Sequence, residues 1–167
     1  MPSVVSLNFS IPASPSVLMG LMQDRDFIVD RLTVLAASTA EVREHGFQGE
    51  TLVTTVYSTV PRTKLPKAVR GFVRGEPGFS RTERWSPAAD GYDCLMEVDL
   101  SGTPSDITGQ MQLRPDEAGS SLSLDCDIKI PLPMFGAQVE ATLVREITDI
   151  AHAETQFLCE RVGGATS

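Results

Sequence analysis

Histidine, cysteine, positive charge and long apolar runs are all scarce in this chain, and each scarcity removes a class of function. The only histidines are His45 and His152. Neither has a ligand-type partner at helical spacing, and no Cys or carboxylate cluster completes a site, so no metal is expected. Three cysteines, Cys94, Cys126 and Cys159, are odd in number and far apart. They make neither a disulfide framework nor a zinc ribbon, and each is expected to act as a small apolar residue in a reducing compartment. Lys and Arg number 14 against 22 Asp and Glu, a net charge of −8. A nucleic-acid binder carries the opposite balance, so no nucleic-acid partner is expected. No run approaches 18 uninterrupted apolar residues, and no stable membrane insertion is expected. The opening Met1–Ser6 has neither a positively charged stretch nor an apolar core of the signal-peptide kind, which points to the cytoplasm. A phosphate-cradling glycine loop is also missing: Gly71, Gly75 and Gly78 are irregularly spaced and follow no strand–helix unit. No cofactor is expected. Spacing alone pairs no nucleophile with a base, and the oligomeric state stays open.

What is present is a regular alternation of strands bracketed by helices. Val5, Leu7, Phe9 and Ile11 alternate with Ser6, Asn8 and Ser10, the period of a strand with one buried face. Ser14 and Pro15 open a short helix, and Asp24 or Asp26 opens a second, in which Phe27, Ile28, Arg31, Leu32 and Leu35 fall at helical spacing. That pair is expected to end near 36–38. From residue 40 to 131 the pattern is strand and turn: 40–47, 51–60, 79–85, 92–100, 107–113 and 122–130. The connections are short, which argues for antiparallel neighbours with one apolar and one solvated face. Residues 62–75 interrupt this series as a loop with a helical turn or two. A long helix is expected from about Met134 to Val162, with Val139, Leu143, Ile147, Ile150, Glu154, Phe157 and Arg161 on one stripe. The fold class is α+β.

The order of strand, two short helices, six-stranded meander and long helix resembles the helix-grip fold of the START-like superfamily, also called SRPBCC or polyketide cyclase-like. The likeness runs from Val4 to Val162. Within it, Lys64-Leu65-Pro66-Lys67-Ala68-Val69-Arg70-Gly71-Phe72-Val73 and Arg81-Thr82-Glu83-Arg84-Trp85 look like a bacterial family known only as a domain of unknown function. The resemblance implies one START-like domain over 1–167, in which a curved antiparallel sheet of about seven strands wraps the C-terminal helix. It also implies a cavity between them that takes a lipid-, hormone- or polyketide-like molecule. It places no catalytic residue on this chain.

On that expectation the cavity wall would include Val56, Met96, Val98, Met111, Leu113 and Leu124 from the inward sheet face, with Ile147 and Ile150 from the long helix. Leu7, Phe9, Cys126 and Ile128 share the sheet face. Close packing is the default for any one of these positions. The basic stretch Arg62–Arg74 is either a solvated loop or a gate over the cavity mouth, with Leu65, Val69, Phe72 and Val73 beneath it. Trp85, the only tryptophan, suits a core or a cavity wall. Glu154 interrupts the apolar stripe. A buried carboxylate needs a partner, so it meets Arg84 or another cation, faces a wet cavity, or lies off the stripe. Of strand 81–85, Arg84 is the expected cavity-lining arginine, while Arg81, Glu83 and Trp85 share the other face. Three functions follow: a carrier or sensor of an apolar or amphipathic small molecule; a cyclase- or dehydratase-type enzyme with Glu154, Arg84 or Tyr92 as acid or base; and a partner-binding outer face built on Asp93, Glu97, Asp99, Asp125 and Asp127.

Overall fold

A computed structural model describes residues 3–35, 39–65, 67–71, 75 and 77–164. Strand β1 (Ser3–Ile11) leads into helix α1 (Pro15–Gln23) and helix α2 (Arg25–Arg31), which ends in a 3-10 turn at Leu32–Leu35. The meander follows as β2 (Ala40–Gln48), β3 (Thr51–Thr59), β4 (Gly78–Ala88), β5 (Gly91–Leu100), β6 (Asp106–Asp116) and β7 (Gly119–Lys129). A 3-10 turn at Arg62–Lys64 and a single turn α3 (Lys67–Arg70) lie between β3 and β4. Helix α4 (Gly136–Gly164) closes the described chain.

All seven strands form one antiparallel sheet in the order β1-β7-β6-β5-β4-β3-β2. Each hairpin is local except the pairing of β1 with β7, which brings Val5 opposite Cys126 and Leu7 opposite Leu124. The alternation of apolar and polar residues fixes this register, because a slip of one residue would turn each apolar row to solvent. The turns use glycine where a side chain is barred. Gly91 has φ +103, and a Cβ there would lie 2.0 Å from the Leu113 carbonyl oxygen. Gly119 has φ +139 and abuts the backbone of Ile11 and Ala13.

Local capping sets the helix starts. The Ser14 side chain accepts a hydrogen bond from Val17 N at 3.4 Å, and Asp24 Oδ1 accepts from Asp26 N at 2.9 Å. Helix α4 begins two residues later than its apolar pattern suggests. Met134 has φ +68, a left-handed conformation that no helix can contain, so the first helical residue is Gly136. At 29 residues α4 is about 43 Å long at 1.5 Å per residue. It packs chiefly along β1 and β7 and spans the concave face of the sheet.

The core is split in two. One cluster gathers Phe27, Ile28, Leu52, Val56, Trp85 and Leu113 under α1 and α2. The other gathers Val5, Met96, Ile107, Cys126, Ile128 and Val139 under the first half of α4. Among the described residues, no helix is long and apolar enough to cross a membrane.

Candidate functional site

Between the concave sheet face and α4 lies a cavity of about 180 Å³. Its wall runs along α4 from Val139 to Leu158, about 29 Å of helix axis. Most of the wall is apolar. Met96, Val98, Met111 and Leu124 contribute from the sheet, and Ile147 and Ile150 from α4.

Four charged side chains interrupt that surface at the end nearest α2. Their positions follow from parity. Trp85 on β4 points inward and is buried, so Glu83 and Arg81, two and four residues earlier, point the same way. Arg31 comes from the last turn of α2, on the face that buries Phe27 and Ile28. Glu154 comes from the apolar stripe of α4. Arg81 holds Glu154 with both ends of its guanidinium: Nη1 donates to Oε1 at 2.6 Å and Nη2 to Oε2 at 2.8 Å. Arg31 Nε lies 3.1 Å from Glu154 Oε2, and its Nη2 lies 3.6 Å from Glu83 Oε2. Arg81 Nε is 3.5 Å from Glu83 Oε1, and Trp85 Nε1 donates to Glu83 Oε2 at 3.4 Å. The cluster is a closed, charge-neutral quartet of two guanidinium groups and two carboxylates.

Electrostatics fix the protonation of Glu154 and Arg81. Burial pushes the Glu154 carboxyl up, but Arg81 and Arg31 together overcome this and hold it below the usual carboxylate range. For Arg81, burial acts to lower the pKa, while Glu154 and Glu83 outweigh it and raise it. All four groups are held in an environment that would be costly for any one alone. The two buried thiols are equally inert. Burial raises Cys126 to about 11. Burial and then the Glu83 charge raise Cys94, which faces Trp85 across the β4–β5 pair.

The opposite end of the cavity is bordered by Leu65, Thr142, Lys64 and Glu146. Lys64 Nζ lies 3.1 Å from Glu146 Oε2, joining the β3–β4 connection to α4. The basic stretch that precedes β4 is tied to its own backbone. Arg62 donates to the carbonyls of Gly75 at 2.8 Å and Arg70 at 2.5 Å, and Arg70 donates to those of Leu65 at 3.0 Å and Thr63 at 2.9 Å. These arginines cap loop carbonyls.

Several expectations change in this light. Arg84 does not line the cavity. It stands on the outer sheet face, its side chain 42% exposed and 3.6 Å from Glu97, whereas that of Glu154 is 14% exposed. The reason is parity: Arg81 and Glu83 share the side of buried Trp85 and are the inward pair, which leaves Arg84 on the outer face. Glu154 finds its cation, but in Arg81 and Arg31. Val56 and Leu113 are buried in the core cluster around Trp85 and do not border the cavity. Trp85, Met96, Val98, Met111, Leu124, Ile147, Ile150 and Glu154 do border it. Phe72 and Val73 lie outside the described residues, as do residues 36–38 and the side chain of Val69. Tyr92 lies at the start of β5 and packs against the core cluster, apart from the quartet. Arg31 was visible in the sequence as a charge at helical spacing among Phe27, Ile28 and Leu35, the signal that places it inward.

Comparison with other proteins agrees with this architecture. The family model described as "Protein of unknown function (DUF2505)" matches residues 6–162. The chain belongs to the DUF2505 family. An uncharacterized protein of Mycobacterium tuberculosis is 23% identical over 129 residues, 72% of each chain. Among solved structures, an aromatase/cyclase from a Streptomyces species superposes with a TM-score of 0.63 at 12% identity, covering 100% of this chain and 99% of that one. A START superfamily protein from Mycobacterium smegmatis superposes with a TM-score of 0.56 at 12% identity, covering 95% and 98%. This DUF2505 chain therefore has a START-like fold.

Proposed function

We propose that this DUF2505 protein binds an apolar or amphipathic small molecule, lipid- or polyketide-like, in the cavity between sheet and α4, as a carrier or sensor. One observation carries the reading: a mostly apolar cavity of about 180 Å³ that ends in a fixed cluster of buried polar groups. Ligand pockets have this composition, an apolar wall that supplies affinity and a few convergent polar groups that supply orientation. The alternative, acid–base catalysis on a polyketide-like substrate, has four polar side chains on one wall in its favour. Against it stands the chemistry of those side chains. Glu154 is held ionised by two guanidinium groups and is a weak base, and the arginines do not release protons. The binding reading is therefore the better supported. It treats 1–167 as one domain and assigns it to the cytoplasm.

A titration with 6-propionyl-2-(dimethylamino)naphthalene tests it. This neutral naphthyl ketone shifts its emission to the blue in apolar surroundings. The expected result is saturable binding at one equivalent with a blue shift, abolished by filling the cavity through Ile147→Trp. Non-saturable binding, or equal binding by the filled variant, contradicts the proposal.

A further inference from the structure

Among the described residues, every cation that borders the cavity is matched by a carboxylate that also borders it. Among the described lining residues the cations are Arg31, Lys64 and Arg81, and the carboxylates are Glu83, Glu146 and Glu154. The pairs close on one another at 2.6 Å (Arg81–Glu154), 3.1 Å (Arg31–Glu154) and 3.1 Å (Lys64–Glu146). Among the described lining residues the charges sum to zero.

From this we infer that the cavity selects neutral, hydroxyl-bearing ligands and rejects carboxylates; the inference rests on the container reading above. A carboxylate ligand is recognised by an open guanidinium fork. Both forks already face carboxylates. Arg81 spends Nη1 and Nη2 on Glu154 with Nε 3.5 Å from Glu83, and Arg31 directs Nε to Glu154 and Nη1 to the sulfur of Met22 at 3.6 Å, with Nη2 3.6 Å from Glu83. An incoming anion would first meet Glu154, the most accessible of the four side chains, in a desolvated space where like charges repel strongly. A neutral hydroxyl meets the opposite situation. The two oxygens of an ionised carboxylate offer about four acceptor positions. Arg81 Nη1 takes one on Glu154 Oε1, while Arg81 Nη2 and Arg31 Nε converge on Oε2. Glu154 is also the most exposed member of the quartet, with 14% of its side chain accessible against 8% or less for Arg31, Arg81 and Glu83. The free position on Oε1 is an acceptor for a ligand O–H, and that bond adds a donor without adding a charge. The cavity thus discriminates by charge state at its buried end and by hydrophobicity along its length.

Isothermal titration calorimetry of the intact protein with naphthalene, 2-naphthol and naphthalene-2-carboxylate at pH 7.5 separates these effects. The naphthol is expected to bind at least about tenfold more tightly than the carboxylate, a difference one buried like-charge contact readily supplies. It is also expected to bind severalfold more tightly than naphthalene. On lowering the pH to 5.5, the apparent affinity for the carboxylate rises with its protonated fraction, about tenfold per pH unit above its own pKa, and that for the naphthol stays level. Carboxylate binding as tight as naphthol binding at pH 7.5 overturns the inference and leaves the container reading intact. If none of the three ligands nor the naphthyl ketone binds, the container reading falls and takes this inference with it.

Discussion

Replacing Glu154 by glutamine removes one charge from a quartet whose four members are buried together, and its consequence can be worked from the contacts. Glu154 accepts from Arg81 at 2.6 and 2.8 Å and lies 3.1 Å from Arg31 Nε. The amide oxygen of glutamine can keep one such bond, while its NH2 group faces guanidinium donors and repels them. Each lost hydrogen bond to a charged group is worth about 1.5–3 kcal/mol. The quartet also changes from neutral to a net +1 in a desolvated site. Breaking a buried ion pair from one side costs about 3–5 kcal/mol, and two lost bonds give a similar figure of about 3–6 kcal/mol. For a chain of this size that corresponds to a fall of about 6–20 °C in melting temperature. Urea unfolding followed by tryptophan fluorescence measures it, since Trp85 donates to Glu83 within the cluster and reports on it. The double substitution Arg81→Met with Glu154→Leu leaves Arg31 and Glu83 as a balanced pair and should lose far less than the sum of its singles. A Glu154→Gln protein within about 1 kcal/mol of wild type would refute the reasoning, because it would mean that the cluster is hydrated and carries little coupling energy.

Three further outcomes follow from the same structure. Arg81→Gln should destabilise the fold by about 3–5 kcal/mol, whereas Arg84→Gln, on the outer face, should stay within about 0.5 kcal/mol by the same urea assay. Glu154 has a depressed folded-state pKa, so its stabilisation is present above the unfolded carboxylate pKa and is lost as pH falls through the folded one. The stability gap between wild type and Glu154→Gln, measured from pH 7 downward, should therefore narrow once the pH drops below about 4.3. Burial raises the thiols of Cys126 and Cys94, and burial with Glu160 raises that of the more accessible Cys159. At pH 8 a disulfide reagent such as 5,5′-dithiobis(2-nitrobenzoate) should react slowly with Cys159 alone in the folded protein, and with all three cysteines in guanidinium.

The sheet was legible in the sequence because its strands are amphipathic on a strict period of two. Val5 to Ile11 and Leu122 to Ile130 read directly as inward rows, and the structure pairs them with each other. The long helix was legible from its stripe, and its start was misplaced only because the left-handed Met134 carries no sequence signal of that conformation. The candidate site was half legible. Glu154 stood out as a charge on an apolar stripe, and its need for a cation was predictable from desolvation alone. Which cation it meets could not be read from the charges of β4. That strand carries Arg or Glu on both faces, so charge cannot tell the two sides apart, and only the buried Trp85 sets the parity that turns Arg81 and Glu83 inward. The placement of Val56 and Leu113 in solid core was also beyond periodicity. An inward residue at a closed part of the wall and one beside a cavity have the same sequence signature, and tertiary packing alone separates them.

The central claim, that a small molecule occupies the cavity between sheet and α4, is tested most directly by the methionine methyl resonances. Met22, Met96 and Met111 border the cavity, while Met19 is buried in the core outside it and Met134 is 91% exposed. In a carbon-13 methyl-labelled protein, adding 2-naphthol should shift the first three saturably and leave Met19 and Met134 in place. Shifts confined to Met134, or no saturable shift at Met22, Met96 and Met111, would contradict the account.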